Sequence, residues 1–417
     1  MSDPPWKRIK PTQLMSEAVV LWRKAAGLPY GGWRRWLYLA LGKTWGFWRH
    51  VPWVSSHYRN AARYRDAKRI AIGVMHPAPY RQPVLDRLRA MNAFEVEVFS
   101  NLSVDPNHTW AGFEKEIGAF YRGNGFAALC RALVRYVFSP RYDFVCWSAY
   151  YPYWLTIPIV FSALIGKRYA ISVDTVREEG GWFARRIKKF IFSRAGFLWV
   201  PGLATRRFLE GQYNIVPEKI VEGVYALERF ESSADSKSEE REGRPFKFLM
   251  ICNNLLHRRV DVVVKGFEKF STDRSDVQLV LCGKDMERFV PVRNVKVIDG
   301  CPWLELPELY ADADVYVHNG TEQFSTIVLM AAQRGMPLIV GREVGVARDL
   351  FTDDARLGVC VEDWQSEEAW AIAFDQIIAD RQRWKEMGDT GRLHAGKFDA
   401  DAIAVTVSSK IKEVLSR

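Results

Sequence analysis

Glu322 is the acid in this chain whose surroundings point most directly to chemistry. It sits in the stretch Ala313–Leu350, ADVYVHNGTEQFSTIVLMAAQRGMPLIVGREVGVARDL. The stretch reads as a buried strand (Val315, Tyr316, Val317), a loop, a helix from about Ser325 to Gln333, and a second apolar strand at Leu338 to Val340. A carboxylate beside a helix N-terminus can hold the polar part of a ligand while the free N–H groups of the first turn attract an anion. The plainer reading is a capping or surface acid. Three further groups follow apolar strand-like runs: His76 and Arg81 after RIAIGVM, and Asp174 after Tyr169–Val173. A histidine can move a proton near neutral pH, an arginine suits an acidic or phosphorylated group, and an aspartate can orient a hydroxyl or cap the helix that follows. A lone histidine near a strand end is also a common structural residue.

These groups need a scaffold, and the chain supplies alternating strands and helices. From Arg69 come a strand, a helix with apolar Val84, Leu85, Leu88 and Met91, a strand at Val96 to Phe99, a helical stretch at Phe126 to Val137, and a strand at Phe144 to Trp147. A helix near Trp154 to Leu164, a strand at Tyr169 to Val173, a basic helix at Phe183 to Phe192 and a strand at Phe197 to Val200 follow. Such alternation predicts an α/β fold with parallel, doubly wound sheets. At 417 residues the chain is too long for one core. The stretch 231–245, ESSADSKSEEREGRP, lacks large apolar residues and reads as a linker between two such domains. We expect a first domain over 69–230, a second over 246–395, and a terminal segment 396–417 with a helix at Ala402 to Leu415. Val145 to Gly166 is uncharged, but Pro152 and Pro158 interrupt it, so it reads as strand, loop and core helix rather than a membrane span.

The net charge of +10 is confined to residues 1–68, which hold 13 Lys and Arg against 3 Asp and Glu; the remaining 46 basic and 46 acidic residues balance. The same segment carries seven of the 16 tryptophans: Trp6, Trp22, Trp33, Trp36, Trp45, Trp48 and Trp53. Basic side chains that snorkel and tryptophans that favour a headgroup boundary fit a helical extension lying on an anionic membrane surface. Packing as an ordinary amphipathic helix and contact with nucleic acid are the alternatives, and the neutral body argues against nucleic acid. The N-terminus lacks the pattern of a signal peptide, so a cytoplasmic location is expected, peripheral on the inner face of the membrane. Six cysteines without a C-x-x-C pair read as core residues in a reducing compartment, with no metal site indicated.

EQFSTIVLMAAQRGMPLIV resembles the E-G-F-G-x-x-x-x-E-A-x-x-x-G-x-P-V-I signature of the retaining GT-B glycosyltransferases, the group that includes glycogen synthase and the bacterial phosphatidylinositol mannosyltransferases. Glu322 falls on the first acid and Met330 on the second. ICNNLLHRRVDVVVKGF is similar to G-R-L-x-x-x-K-G-x-D, with Arg258 at the lysine, Asn253 at the arginine and Asp261 in register. VIDGCPW, through Gly300, looks like the segment facing the nucleotide base, and GREVGVARDL resembles G-G-x-x-D-L with Gly345 on one glycine. MHPAPYRQPVLDRL resembles the N-P-x-x-Y-R-x-P opening of bacterial enzymes acting on polysaccharide or glycolipid precursors, which puts His76, Tyr80 and Arg81 at the cleft edge.

The resemblance implies a GT-B fold, two Rossmann-like domains facing across a cleft, with the terminal helix crossing back to the first. It implies a metal-independent hexosyltransferase with no cofactor beyond its nucleotide-sugar substrate. Glu322, with His76 and Asp174, would serve catalysis. Arg258, Asn253, Gly300, Phe324, Ser325, Thr326 and Met330 would line the donor site, and Tyr80 and Arg81 the site of a lipid-linked or glycolipid acceptor. Removal of the Glu322 carboxylate is expected to abolish transfer with little loss of stability. A catalytically silent scaffold that binds a glycan or a partner enzyme is the alternative function.

Overall fold

The computed structural model describes residues 68–75, 78–100, 125–151, 153–178, 180–228, 243–252, 256–352 and 356–417. The N-terminal extension and most of the expected linker lie outside them. Two six-stranded sheets, parallel at every paired strand, form the frame.

The first sheet contains β1 (Arg69–Val74), β2 (Glu95–Ser100), β3 (Phe144–Trp147), β4 (Tyr169–Ser172), β5 (Phe197–Val200) and β6 (Ile220–Glu222) in the order β2-β1-β3-β4-β5-β6. Its helices are α1 (Gln82–Ala90), α2 (Gly125–Ala132, continued by a π turn at Leu133–Val137), α3 (Tyr153–Ile165), α4 (Trp182–Arg194) and α5 (Leu203–Tyr213). β1, β3, β4 and β5 are apolar along their length because helices cover both faces, as parallel sheets require. The uncharged run from Val145 is indeed β3, a loop and α3, with Pro158 inside the helix and Ser162 Oγ donating to the Pro158 carbonyl at 2.9 Å.

In the second sheet, β7 (Phe246–Ile251), β8 (Val277–Cys282), β9 (Val295–Ile298), β10 (Val315–His318), β11 (Leu338–Gly341) and β12 (Gly358–Val361) take the order β12-β11-β10-β7-β8-β9. With them come α6 (Val260–Phe270), α7 (Leu306–Asp312), α8 (Thr326–Gln333), α9 (Ala347–Leu350), α10 (Glu367–Ala379), α11 (Trp384–Ala395) and α12 (Ala400–Ser416). Glycines 388 and 391 hid α11 from the sequence reading, since glycine disfavours helix. They are there for contact: a Cβ at Gly388 would stand 2.3 Å from the Gly335 carbonyl.

One apolar core covers the outer face of each sheet, and a third runs continuously between the domains, from Val224 and Leu227 through Phe324 and Val346 to Phe398, Ile403 and Ile411. α12 packs on α1 and β6 of the first sheet, and Val414 lies against Gly196. A second tie is polar. Asp349 of α9, fully buried, accepts the Leu203 N–H at the start of α5 through both oxygens (3.0 and 3.2 Å) and the Lys397 ammonium at 3.1 Å. A Cβ on Gly202 would meet that carboxylate at 2.5 Å, so the residue before Leu203 is small. No helix among the described residues is long and apolar enough to cross a membrane. All six cysteines are free.

Candidate functional site

In a doubly wound sheet a crevice opens at the carboxyl ends where the strand order reverses. The second sheet starts at β7, runs outward through β8 and β9, then returns to β7's other side with β10. Its reversal lies between β7 and β10, so the loops after those two strands are neighbours although some 60 residues separate them in sequence. Those loops carry Arg258 and Glu322.

The pair meets at the bottom of the crevice. Arg258 Nη1 is 2.5 Å from Glu322 Oε1, and His318 Nε2, at the end of β10, is 2.5 Å from the same oxygen. His318 is 1% exposed and the Glu322 side chain 10%. Burial alone would push the Glu322 carboxyl up, but Arg258 and His318 together overcome it and hold the group at about 2, so it is ionised at any working pH. Burial, together with the Arg258 charge, lowers the His318 pKa against the pull of Glu322, which leaves a neutral ring. Its Nδ1 lies 3.2 Å from the Tyr316 hydroxyl. Nε2 also lies 2.8 Å from Arg258 Nη1, so Arg258, His318 and Glu322 form one buried polar cluster. Glu322 Oε2 is then left for another donor. Arg258 also has an unused edge: its Nε is buried without a hydrogen-bond partner.

The surrounding backbone fixes this geometry. Thr321 N–H donates to the His257 carbonyl at 3.0 Å, tying the two loops together. Arg259 adopts the left-handed conformation (φ 44°, ψ 46°) at the N-cap of α6, and its guanidinium bridges to Asp261 at 3.1 and 3.2 Å, which offsets the strain. Gly345 N–H donates to the Glu322 carbonyl at 2.9 Å, and a Cβ there would overlap the Gln323 carbonyl at 1.8 Å. Only glycine lets the loop before α9 press this close beneath Glu322. Ser325 is the N-cap of α8, but its side chain caps nothing; Oγ turns to His318 Nε2 at 3.4 Å. The first-turn N–H groups of α8 therefore have no side-chain cap, an anion-favouring end beside Glu322.

Facing this edge, the first domain offers a different cluster, at the ends of β1, β4 and β6. Tyr80 and Tyr225 pack edge to face at 4.9 Å, the Arg81 guanidinium lies 5.4 Å from the Tyr225 ring, and Tyr225 donates a long 3.4 Å hydrogen bond to Asp174. Tyr225 also touches Phe324 of the second domain at 5.7 Å between ring centroids. It thus links both sides.

Among the expected site residues, the structure gathers Glu322, Arg258, Ser325 and Thr326 at one edge and Tyr80, Arg81 and Asp174 at the other. His76 and Asn253 lie outside the described residues. Gly300 takes φ +71° with open space beside it. Three expectations need correcting. Met330 is 1% exposed within the interdomain apolar core and presents no surface to a ligand. The Phe324 side chain packs between Tyr225 and Phe398, while the role expected of this residue is one of its backbone. Asp174 does not cap the next helix, whose N-cap is Gly181 without any side-chain bond. The expected stability of a variant lacking Glu322 also changes, since its carboxylate compensates a buried arginine. His318, Tyr316 and Tyr225 were not anticipated. A histidine ending the apolar run VYVH, four residues before the acid, was the available signal for the first; nothing local marks Tyr225. Among the described residues no cluster of three or more His, Cys, Asp or Glu side chains could hold a metal ion.

Comparison with known proteins places this edge in context. Residues 231–394 match the family described as Glycosyl transferases group 1. Over 119 residues the chain is 29% identical to a D-inositol 3-phosphate glycosyltransferase of Segniliparus rotundus, a match covering 28% of this chain and 26% of the relative. The chain spans between 26% and 34% of the length of the curated relatives it matches. A glycosyltransferase structure from Rickettsia africae superposes with a TM-score of 0.66 at 13% identity, covering 84% of this chain and 99% of that one. The Anabaena protein HepE, solved with UDP and glucose, gives 0.59 at 14% identity over the same shares. At such identity the likeness is one of fold, and the fold is GT-B.

Proposed function

We propose, from the premise that residues 231–394 are a glycosyltransferase group 1 domain, that the chain moves a sugar from a nucleotide-sugar donor to a lipid-linked or glycolipid acceptor at the inner face of the cytoplasmic membrane. The observation that carries this reading is the ionised Glu322 held by Arg258 and His318 beside the uncapped start of α8. Breaking the anomeric bond builds negative charge on a diphosphate. The free edge of Arg258 and the first-turn N–H groups of α8 are fixed dipoles and charge aimed at such a group, and they need no metal. Glu322 Oε2 accepts from a hydroxyl of the donor sugar and sets its position. Retention follows if the leaving phosphate takes the acceptor's proton on the same face as departure. On the opposite edge Arg81, with Tyr80 and Asp174, supplies a cation and an acceptor for an acidic substrate, in keeping with the phosphorylated substrate in the name of the Segniliparus relative. The lipid side of the reading rests on the basic, tryptophan-rich residues 1–68.

A second reading, a silent scaffold that binds a glycan or a partner, is motivated by Met330, a buried thioether where the family signature carries an acid. Calorimetric titration of the purified chain with UDP, GDP, ADP, CMP and their common sugars separates the two. Saturable binding of one nucleotide, lost in Arg258→Ala, supports transfer; silence from a folded protein favours the scaffold.

A further inference from the structure

α4 carries an exposed face that is both aromatic and basic. Trp182 is 70% exposed and Phe183 44%, and Arg185, Arg186 and Lys189 are exposed beside them. At 100° per residue these five fall within an arc of roughly 160°. The helix contains no acid. The Arg186 guanidinium sits 5.1 Å from the Trp182 ring, and the Arg185 guanidinium donates to Gln212 at 3.3 and 3.4 Å while its charge also acts on Glu178. Glu178, the nearby carboxylate before the helix, is already neutralised by Lys188 at 3.0 Å. Lys188 is buried on the opposite side with Ile191 and Phe192, which anchor α4 to the sheet.

We infer that the outer face of α4 is a contact surface for an anionic lipid bilayer. A large indole and a phenyl at one helix end, ringed by cations, match a headgroup boundary: the rings enter it and the basic side chains meet its phosphates. Charge decides the occupant. The helix carries no acid, so a neutral protein groove would leave its outer cations without anionic partners. Position gives the contact a purpose. The loop entering α4 begins at Asp174 on the cleft edge, so the aromatic pair lies at the helix end nearest the acceptor side. The inference deepens the membrane part of the proposed function, on residues of the first domain instead of the extension.

The test uses the full chain. Sedimentation with vesicles of phosphatidylglycerol and phosphatidylethanolamine is compared with vesicles of phosphatidylcholine alone, for the wild type, Trp182→Ser/Phe183→Ser, and Arg185→Glu/Arg186→Glu/Lys189→Glu. We expect anionic vesicles to bind the wild type preferentially and each variant to bind them at least about tenfold more weakly, with melting temperature and nucleotide binding unchanged. Equal affinity in all three proteins, or equal wild-type binding to both vesicle types, overturns the inference. All substituted side chains are exposed, and the two variants change different chemistry, so a folding defect in one leaves the other to decide. Nucleotide binding is read on the same samples: its absence in the wild type would sink the transferase reading while leaving the vesicle result to stand alone.

Discussion

The two edges of the cleft are built in opposite ways. In the second domain the groups are buried, ionic and held close together: one carboxylate oxygen takes both Arg258 and His318, and the backbone beneath admits only Gly345. In the first domain the groups are mostly aromatic, Tyr80 and the buried Arg81 packed on Tyr225, with Asp174 exposed and its bond to Tyr225 stretched to 3.4 Å. The contrast teaches that one edge is preorganised and the other adaptable. A site that must stabilise developing charge gains from groups already desolvated and fixed, whereas a site that receives a bulky acceptor gains from side chains free to move.

Breaking the preorganised edge should have the largest effect. Glu322→Ala leaves Arg258 as a buried, uncompensated charge, so we expect a loss of about 3–5 kcal/mol of stability in urea unfolding together with loss of transfer. A variant as stable as the wild type would show that the pair is solvated in solution. Arg258→Ala should abolish nucleotide binding, while Arg258→Lys, which keeps the charge and loses the planar fork, should retain part of it; indistinguishable titrations of the two would remove the phosphate role.

The acid limb sharpens the same point. With its folded pKa near 2 against an ordinary 4.5, Glu322 contributes fully above about pH 4.5, and that contribution drains away as pH falls toward 2. It amounts to ~3 kcal/mol. Acid unfolding of Glu322→Gln should therefore be shallower over that window than that of the wild type, and parallel curves would contradict it. On the adaptable edge the expected changes are small. Tyr225→Phe keeps the rings packed and deletes the hydroxyl's bonds to Asp174 and Arg81, at a cost of about 1–2 kcal/mol, with donor binding unaltered and any kinetic change confined to the acceptor's KM. A weakened donor affinity in that variant would mean that the edges are coupled after all.

Much of this was legible because it is local. Strand and helix alternation, the switch-point logic and the placing of Glu322 and Arg258 on facing loops all follow from apolar periodicity and short motifs. What stayed hidden depends on pairing across the chain. Tyr225 acquires its partners only when the ends of β1, β4 and β6 meet the loop after β10, and α11 hides its helix behind glycines whose reason is the Gly335 turn. Met330 shows the converse failure: matching a motif position assigns a residue to a site, yet the turn of α8 and the apolar wall around it decide which way the side chain goes.

The carboxylate of Asp349 has a mechanical consequence. It belongs to one domain and terminates a helix of the other, with Lys397 as its counter-ion and no water-facing surface of its own. A wide swing of the domains would strand that charge and leave α5 uncapped in the same instant. The joint should therefore act as a detent, holding one interdomain angle until a definite threshold is crossed, and small ligands would come and go through the rim loops while the frame stays still.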